Sequence, residues 1–241
     1  MQENQNTKQT RRGFVPTDAR QFSEKALETL CIAGEEVRYL LNRGYSVKSA
    51  TTFVGNHYLL SERQRLALAR MISPDHQIQI RKAKELQFAD LAGKTLYMDG
   101  FNTIITLEIA FSGSLLLECL DGTIRDLAGL RGTYTLIDKT DLAIRAIQEF
   151  LEDAGIAGLV IYLDAPVSNS GRLKQRMLEY LDQAGFSTEI EIINPVDQVL
   201  KQKSHVITSD AIILDACESW YNLNREIIRR NFKNYHFIKL N

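Results

Sequence analysis

Hydrophobic residues in the first third of the chain recur with the spacing of an α-helix. Between residues 18 and 44 they are Phe22, Ala26, Leu30, Ala33, Val37, Leu40 and Leu41. Gly44 follows as a C-cap signal, and a further helix begins after Ser61 and stops before Pro74. The pattern predicts a small all-α domain over residues 18–75. It would follow a disordered tail over residues 1–17 and precede a linker helix over residues 76–92.

From residue 93 the pattern changes to short apolar runs that alternate with helical periods. The runs are TLYMD (95–99), GLVIYLD (158–164), STEIEII (187–193), HVITSD (205–210) and YHFIKL (235–240), and the helical periods are 139–154, 171–184, 196–202 and 211–232. Strands that are apolar on both faces and alternate with helices indicate a parallel sheet covered by helices. We therefore expect an α/β domain over residues 93–241. Asp121-Gly122, between two apolar stretches, predicts a hairpin insertion near residues 114–128.

Composition and charge limit the class of protein. The hydrophobic fraction of 44% and the net charge of −1 are ordinary for a globular protein. The three cysteines are far apart and form no disulfide or zinc pattern, which favours a reducing, cytoplasmic location. No apolar run approaches the ~20 residues that span a bilayer, and the N-terminus lacks a signal-peptide core. We expect no membrane association and leave a homo-oligomer open.

Three of the predicted strands end on an aspartate, at Asp99, Asp164 and Asp210. The carboxyl ends of parallel strands lie at one edge of the sheet, where ligands bind, so these side chains should converge. Neighbouring carboxylates repel each other unless a cation lies between them, and oxygen ligands without His or Cys suit Mg²⁺ or Mn²⁺. The three are the predicted catalytic residues. Together with Asp197, which begins a helix, they are the predicted metal ligands.

Each of these acids also has a structural explanation. Asp99 and Asp210 could cap the helices that follow them, and Asp197 could interact with a helix dipole. Asp164 precedes a proline-containing turn, and Asp215 could either join the cluster or face solvent. Repetition of the pattern on three strands favours a shared metal site over three separate caps.

A polar stretch after Asp164 predicts an anion site at the start of a helix. The stretch contains Ser168, Asn169, Ser170 and Arg172. Together with Asn102 near Asp99 and Ser209 next to Asp210, these residues are predicted to bind phosphate. Free backbone N–H groups and the positive end of a helix bind phosphate. The alternative for the serines and asparagine is ordinary N-capping.

Three arginines on the last helix of the N-terminal domain, Arg63, Arg65 and Arg70, are predicted to contact nucleic-acid phosphates. Short helices joined by tight turns are typical of a helix-turn-helix. The alternative is a helical bundle with a solvated charged face.

The motif LYMDGFNTI, with D-G-x-N after the first strand, resembles the first motif of PIN-like (NYN-type) nucleases. PVDQVL before VITSDAII resembles the later motif pair of that branch. The resemblance covers about residues 90–240. It implies a PIN-like, Rossmann-like fold with Asp99, Asn102, Asp197 and Asp210 as the metal pocket. Two features depart from it: Glu108 is the nearest candidate for the acid on the helix after the first strand, and the expected D-x-D reads S-D-A-I.

The whole chain is also similar to an uncharacterised prokaryotic family with a short helical domain before a PIN-like domain. The motifs that carry this resemblance are VGNHYLLSERQRLALAR and DAPVSNSGRLK. The expected function is a Mg²⁺- or Mn²⁺-dependent endoribonuclease with RNA as its partner. The alternatives are a nucleic-acid-binding module without activity and a phosphatase of small phosphoesters that uses the helix start at residues 168–171.

Overall fold

The computed structural model of the protein describes residues 10–129 and 132–240. The N-terminal helices are Asp18–Gln21 (α1), Glu24–Asn42 (α2), Val47–His57 (α3), Glu62–Met71 (α4) and Asp75–Ala83 (α5). The helical pattern from residue 18 is interrupted after α1, because Ser23 takes an extended conformation and begins α2. The buried faces of α2, α3 and α4 form one core together with Leu117 and Cys119 from the following domain.

The segment before α1 differs from the predicted disordered tail where the structure describes it. Arg12 forms an ion pair with Glu108, with 2.6 Å between Nε and Oε2, and Arg11 donates to the Ser112 carbonyl at 3.3 Å. Residues 10–17 are therefore anchored by contacts about a hundred positions away, which a local polar pattern does not reveal. Residues 1–9 of the predicted tail lie outside the described part.

The predicted linker helix over residues 76–92 is shorter and more deeply packed than expected. Helix α5 ends at Ala83, and only a 3₁₀ turn, Phe88–Asp90, follows before the sheet begins. Arg81 in α5 is 1% exposed, and its carbonyl accepts a hydrogen bond from the indole of Trp220 at 2.7 Å. Helix α5 is thus part of the packed body and does not act as a free connection.

The second part of the chain is an α/β domain with two sheets. Its strands are Thr95–Asp99 (β1), Leu116–Glu118 (β2), Ile124–Asp126 (β3), Gly158–Asp164 (β4), Ser187–Ile193 (β5), Val206–Ile207 (β6), Trp220–Tyr221 (β7) and Phe237–Ile238 (β8). Its helices are Gly100–Phe111 (α6), Asp138–Asp153 (α7), Ser170–Leu181 (α8), Val196–Leu200 (α9), Ala211–Ala216 (α10) and Leu223–Asn231 (α11).

The main sheet has five parallel strands in the order β5-β4-β1-β6-β7. Alternate side chains enter cores on opposite faces: Leu96 and Met98 pack with α6 and α7, whereas Tyr97 packs with α9 and α10. If these five strands are numbered by their order along the chain, their order across the sheet is third, second, first, fourth, fifth. The chain therefore adds strands on one side of β1 as far as β5 and on the other side from β6 onwards, so the direction of winding reverses between β1 and β6. A ligand crevice is expected at this switch point, beyond the carboxyl ends of these two strands.

Two elements at the C-terminal end differ from the sequence prediction. The single helix expected over residues 211–232 is divided into α10, strand β7 and α11. Trp220 in β7 is fully buried against the sheet, and a two-residue strand is too short to produce an alternating pattern. The run at residues 235–240 forms β8, which pairs with β2 in the smaller sheet and not with the main sheet.

The smaller sheet, in the order β3-β2-β8, joins the two parts of the chain. Strands β2 and β3 pair antiparallel across Asp121 and Gly122, and Gly122 has a φ of 86° that favours glycine. One side of the hairpin enters the core of the N-terminal helices. The hairpin therefore brings α4 close to the carboxyl edge of the main sheet. None of the helices in the described ranges is long and apolar enough to span a membrane.

Candidate active site

A cleft of about 580 Å³ opens at the carboxyl edge of the main sheet, next to the switch point. Its polar lining residues are Asp99, Asn102, Asp164, Asp197, Ser209 and Asp210 from the α/β body, Arg125 and Asp126 from the hairpin, and Arg70 from α4. The structure thus brings all four predicted metal ligands, from four separate chain segments, into one cleft. It also brings Arg70 there from the helical domain.

Asp99 ends β1 and is 7% exposed. Its Oδ1 accepts from the Asn102 N–H at 3.3 Å, which caps α6, and its Oδ2 accepts from the Thr208 hydroxyl at 3.0 Å. Gly100 permits this sharp passage from strand to helix, since a Cβ there would lie 2.5 Å from the Leu163 side chain. The structural role considered for Asp99 is therefore real, yet the same carboxyl also lines the cleft.

The segment after β6 is tied to the segment after β1. The Ser209 N–H and hydroxyl both donate to Asn102 Oδ1 at 2.9 Å, and the Asp210 N–H donates to the Thr208 hydroxyl at 3.0 Å. Asp210 itself caps α10 by accepting from the Ile212 N–H at 2.7 Å. Asn102 and Ser209 were expected to bind phosphate. In the structure their groups bind each other and fix the separation of Asp99 and Asp210.

The charges of the four aspartates act on one another. Burial, together with the charges of Asp210 and Asp164, raises the pKa of Asp99 to about 7, although the hydrogen bonds from Thr208 and Asn102 lower it. Burial and the charge of Asp197 raise the pKa of Asp164, and burial and the charge of Asp210 raise the pKa of Asp197. A positive charge placed among these groups would therefore be stabilised by all of them.

The donor set fits a hydrated Mg²⁺ or Mn²⁺ ion. All four candidates are carboxylates, the oxygen ligands these ions prefer. Among the described residues, no three His, Cys, Asp or Glu side chains are close enough together to bind one ion jointly. Mg²⁺ commonly takes only one or two protein carboxylates and completes its shell with water and substrate phosphate. The arrangement thus suits an ion that keeps much of its water.

Arg125, which the sequence analysis did not single out, supports one wall of the cleft. Its Nε donates to the Ser209 carbonyl at 2.7 Å, its Nη1 to the Arg70 carbonyl at 2.5 Å and its Nη2 to Asp121 at 2.8 Å. Ser209 and Arg125 are 84 positions apart in the sequence, and no local motif signals the contact. The only available signal was the turn at Asp121-Gly122 that builds the hairpin.

The predicted anion site at the start of α8 is occupied by another part of the chain. Ser168 Oγ accepts from the Tyr134 N–H at 3.1 Å, and the Asn169 amide donates to the Tyr134 carbonyl at 2.6 Å. Ser170 is buried, and Arg172 is exposed outside the cleft. These four residues therefore do not join the phosphate-binding set beside the acids. The structure does not show the N-capping alternative either, because Asn169 at the N-cap position makes no side-chain capping hydrogen bond; Ser168 and Asn169 instead hold the loop that contains Tyr134.

Two of the three predicted nucleic-acid-binding arginines are used inside the fold. Arg63 pairs with Asp18 at 2.5 Å and donates to the Leu127 carbonyl at 3.2 Å. Arg65 donates to the carbonyl of Gly55 in the last turn of α3 and to the carbonyl of Leu60 beyond its end, each at 2.9 Å. Their hydrogen bonds hold α1, α3 and the hairpin together. Of the three, only Arg70 lines the cleft.

Two further acids named by the sequence analysis also lie elsewhere. Asp215 pairs with Arg81 at 2.7 Å. Glu108 is fully buried, pairs with Arg12 and accepts from the Tyr134 hydroxyl at 2.7 Å. Neither lines the cleft, so the acidic set at the sheet edge consists of Asp99, Asp164, Asp197 and Asp210, with Asp126 at its margin.

Comparison with known proteins agrees with the two-part organisation. A family described as "Protein of unknown function (DUF434)" matches residues 29–84, and a family described as "Domain of unknown function (DUF5616)" matches residues 88–226. The curated relatives include "Uncharacterized protein MJ0935" of Methanocaldococcus jannaschii, which is 38% identical over 182 residues that cover 76% of this chain and 87% of the relative. No solved structure gives a significant match. The match to the DUF5616 family, over residues 88–226, covers more than half of the chain, so the chain belongs to that family.

Proposed function

We propose that the protein is a metal-dependent nuclease with a PIN-like domain, and that it hydrolyses phosphodiester bonds of single-stranded RNA with Mg²⁺ or Mn²⁺. One observation carries the proposal. Four aspartates from four chain segments line one cleft at the switch point of a parallel sheet. The ion pairs among the described residues leave all four without an arginine or lysine partner.

The strand order supports the PIN-like part of the proposal. Rossmann-like sheets place their ligands beyond the strands at which the winding reverses, and β1 and β6 are those strands here. The D-G-x-N motif lies at the end of β1, where Asp99 enters the cleft and Asn102 binds Ser209. The motif residues therefore serve both the passage from strand to helix and the geometry of the acids.

The residues of the cleft have separable roles in the proposed hydrolysis. One or two of the four aspartates would hold the ion directly and the others would add negative charge around it; when bound, the ion supplies charge stabilisation at the phosphoryl oxygens and a more acidic bound water. The Thr208 hydroxyl orients the Asp99 carboxylate, and the Asn102–Ser209 contact fixes its separation from Asp210. In the reaction a water oxygen bonds to phosphorus while the bond from phosphorus to one ribose oxygen breaks; a cleft carboxylate accepts the proton of the attacking water, and the departing ribose oxygen takes up a proton from solvent water to become a hydroxyl.

A second function, binding of nucleic acid without hydrolysis, is favoured by one observation. No three metal-binding side chains of the described residues are close enough to hold an ion together, as a weak or incomplete site would show. The third function considered, a phosphatase that uses the start of α8, loses its support because Ser168 and Asn169 bind the Tyr134 segment.

The test of the proposal is cleavage of single-stranded RNA by the wild-type protein and by Asp99→Asn in Mn²⁺ or Mg²⁺. We expect roughly a hundredfold or greater loss of cleavage in the variant, because even residues that only support metal ligands cost about 10- to 100-fold when replaced. Asn retains the capping oxygen, so the thermal unfolding of the variant should stay cooperative. Asp182→Asn, at an exposed position at the end of α8, is the matched control and should cleave like the wild type.

The outcomes separate the two functions. Metal-dependent cleavage that is lost in Asp99→Asn supports the nuclease. Salt-sensitive binding of RNA by a wild-type protein that cleaves neither RNA nor DNA would instead establish the second function.

A further inference from the structure

We propose that Arg70, contributed by the helical domain, binds a phosphate of the RNA strand whose neighbouring phosphodiester lies at the aspartates. Both parts of the chain would then build one substrate site. This inference rests on the proposed function and adds to it a residue that binds the RNA backbone.

Arg70 lies in the last turn of α4 and lines the cleft, with its side chain 30% exposed. Only its Nη1 is engaged, by the Asp126 carbonyl and, at 3.4 Å, by Asp126 Oδ1. The Nε and Nη2 groups make no hydrogen bond to any other residue that the structure describes. The N–H groups on these two nitrogens therefore remain for an anion that enters the cleft, while Nη1 stays in the ion pair with Asp126.

Asp126 does not require Arg70 to satisfy its carboxylate. Its Oδ1 accepts from the Ala128 N–H at 2.8 Å, and its Oδ2 accepts from the Thr106 hydroxyl at 3.3 Å. Arg70 Nη1 can therefore stay with Asp126 while Nε and Nη2 face a ligand, so that the Asp126 carboxylate keeps its partner. This separates Arg70 from Arg63, whose guanidinium forms a short, mostly buried pair with Asp18.

The position of Arg70 relative to the acids is fixed by a buried ion network. The Arg125 guanidinium bridges the Arg70 carbonyl and the Ser209 carbonyl, and Ser209 immediately precedes Asp210. Asp121 neutralises Arg125 at 2.8 Å and Arg81 at 2.7 Å, and both Asp121 and Arg81 are only 1% exposed. A ligand that spans Arg70 and Asp210 would meet a preorganised frame, which lowers the entropy lost on binding.

The charge of the cleft explains why an arginine is needed there. Five aspartates line it, and an RNA strand brings further negative charge. Arg125 has its donors engaged by Ser209, Arg70 and Asp121, which leaves Arg70 as the basic side chain with free donors among the described lining residues. The planar guanidinium matches two phosphate oxygens, which a lysine ammonium does not.

The experiment measures binding of a labelled single-stranded RNA to Asp99→Asn protein without divalent metal, over a series of salt concentrations. We expect Arg70→Gln to weaken binding roughly tenfold, as loss of a charged hydrogen bond does, and to reduce the salt slope by about 0.7, as loss of one phosphate contact does. Arg20→Gln removes the same charge from an exposed position of α1 and should change neither quantity. Arg70→Lys should keep the salt slope and regain only part of the affinity.

Asp126→Asn distinguishes phosphate binding from a structural role. If the contribution of Arg70 is only its ion pair with the Asp126 carboxylate, then Asp126→Asn, which keeps the contact between Arg70 and the Asp126 carbonyl, should impair binding as much as Arg70→Gln. If Arg70 binds phosphate, Asp126→Asn should bind RNA at least as tightly as its parent, because a competing carboxylate is removed. In the active protein, Arg70→Gln should raise KM more than it lowers kcat.

Two results would overturn the inference, and they are distinguishable. Equal affinity and equal salt slope for Arg70→Gln and Arg20→Gln, in a protein that still cleaves RNA, would remove Arg70 from the site and leave the proposed nuclease intact. Absence of both RNA binding and RNA cleavage in the wild type would remove the proposed function, and this inference with it.

Discussion

The protein treats two sets of buried aspartates in opposite ways. Asp121 is 1% exposed and lies between Arg81 and Arg125, at 2.7 and 2.8 Å. Burial alone would raise its pKa, yet Arg125, Thr123 and Arg81 together lower it. Asp99 is buried to nearly the same extent, faces other acids and has its pKa raised to about 7. Identical side chains at similar depth are therefore neutralised in one place and left uncompensated in another.

The difference between Asp121 and Asp99 shows that the buried carboxylates at the sheet edge lower the stability of the fold. Ion pairs can compensate a buried carboxylate when the arginine geometry is good and the remaining donors are satisfied, as at Asp121. Within the described part of the chain, none of the four aspartates at the sheet edge forms an ion pair of this kind, although the charges of Lys201 and Arg125 act on Asp197 and Asp210 from a greater distance. Unfavourable groups that persist in a cleft are typical of sites that bind a ligand of opposite charge. The contrast between Asp99 and Asp121 is thus the central argument for a cation site.

The largest predicted effect is the loss of the compensated acid. Asp121→Asn should lower the free energy of unfolding by about 3–5 kcal/mol, because the buried Arg125 would lose its carboxylate partner and Arg81 would keep only Asp215. Urea denaturation measures this change. Asp153→Asn, at an exposed ion pair with Arg230, is the matched control and should cost at most about 1 kcal/mol. Equal losses in the two variants would mean that the buried network does not hold the fold together.

A smaller effect of opposite sign is predicted for the uncompensated acid in metal-free protein. The folded pKa of Asp99 is about 7, and that of an unfolded Asp is about 3.9. The folded state therefore holds more protons between these values, so the Asp99 contribution is fully present at low pH and is lost as pH rises through about 7. Asp99→Asn should remove this dependence and be more stable than the wild type at pH 8, by on the order of 1–3 kcal/mol.

Urea denaturation at pH 5 and pH 8, with a chelator present, checks this prediction. The difference in stability between the variant and the wild type should grow from pH 5 to pH 8. A variant that is less stable than the wild type at both values would show that the Asp99 carboxylate is compensated after all, and the contrast with Asp121 would disappear.

The parts of the molecule that could be predicted from sequence are those with a local, repeated signal. The apolar runs that become β1, β4 and β5 have the bounds expected of them, and the aspartates at two strand ends lie in one cleft. Their role as metal ligands stays a prediction. The D-G-x-N motif lies at the cleft, where Asn102 Oδ1 accepts hydrogen bonds from Ser209, and the phosphate-binding role of Asn102 stays a prediction.

The remaining features depend on contacts between distant residues. Arg81 reaches Asp215 across 134 positions, and Arg12 reaches Glu108 across nearly a hundred, so nothing in the local pattern separates these arginines from solvated ones. For the same reason the sequence of α4 led to the prediction that Arg63 and Arg65 bind nucleic acid. Strand β7 was missed because two residues carry no periodicity, and tertiary pairing with β6 overrides the helical pattern around it.

The most direct test of the cation site is a crystal structure of the protein soaked in Mn²⁺, examined by anomalous scattering. We expect an anomalous peak in the cleft, in direct contact with Asp99 and at least one of Asp164, Asp197 and Asp210. A well-ordered cleft without such a peak at saturating Mn²⁺, or with these carboxylates turned away and paired with arginines, would contradict the cation site.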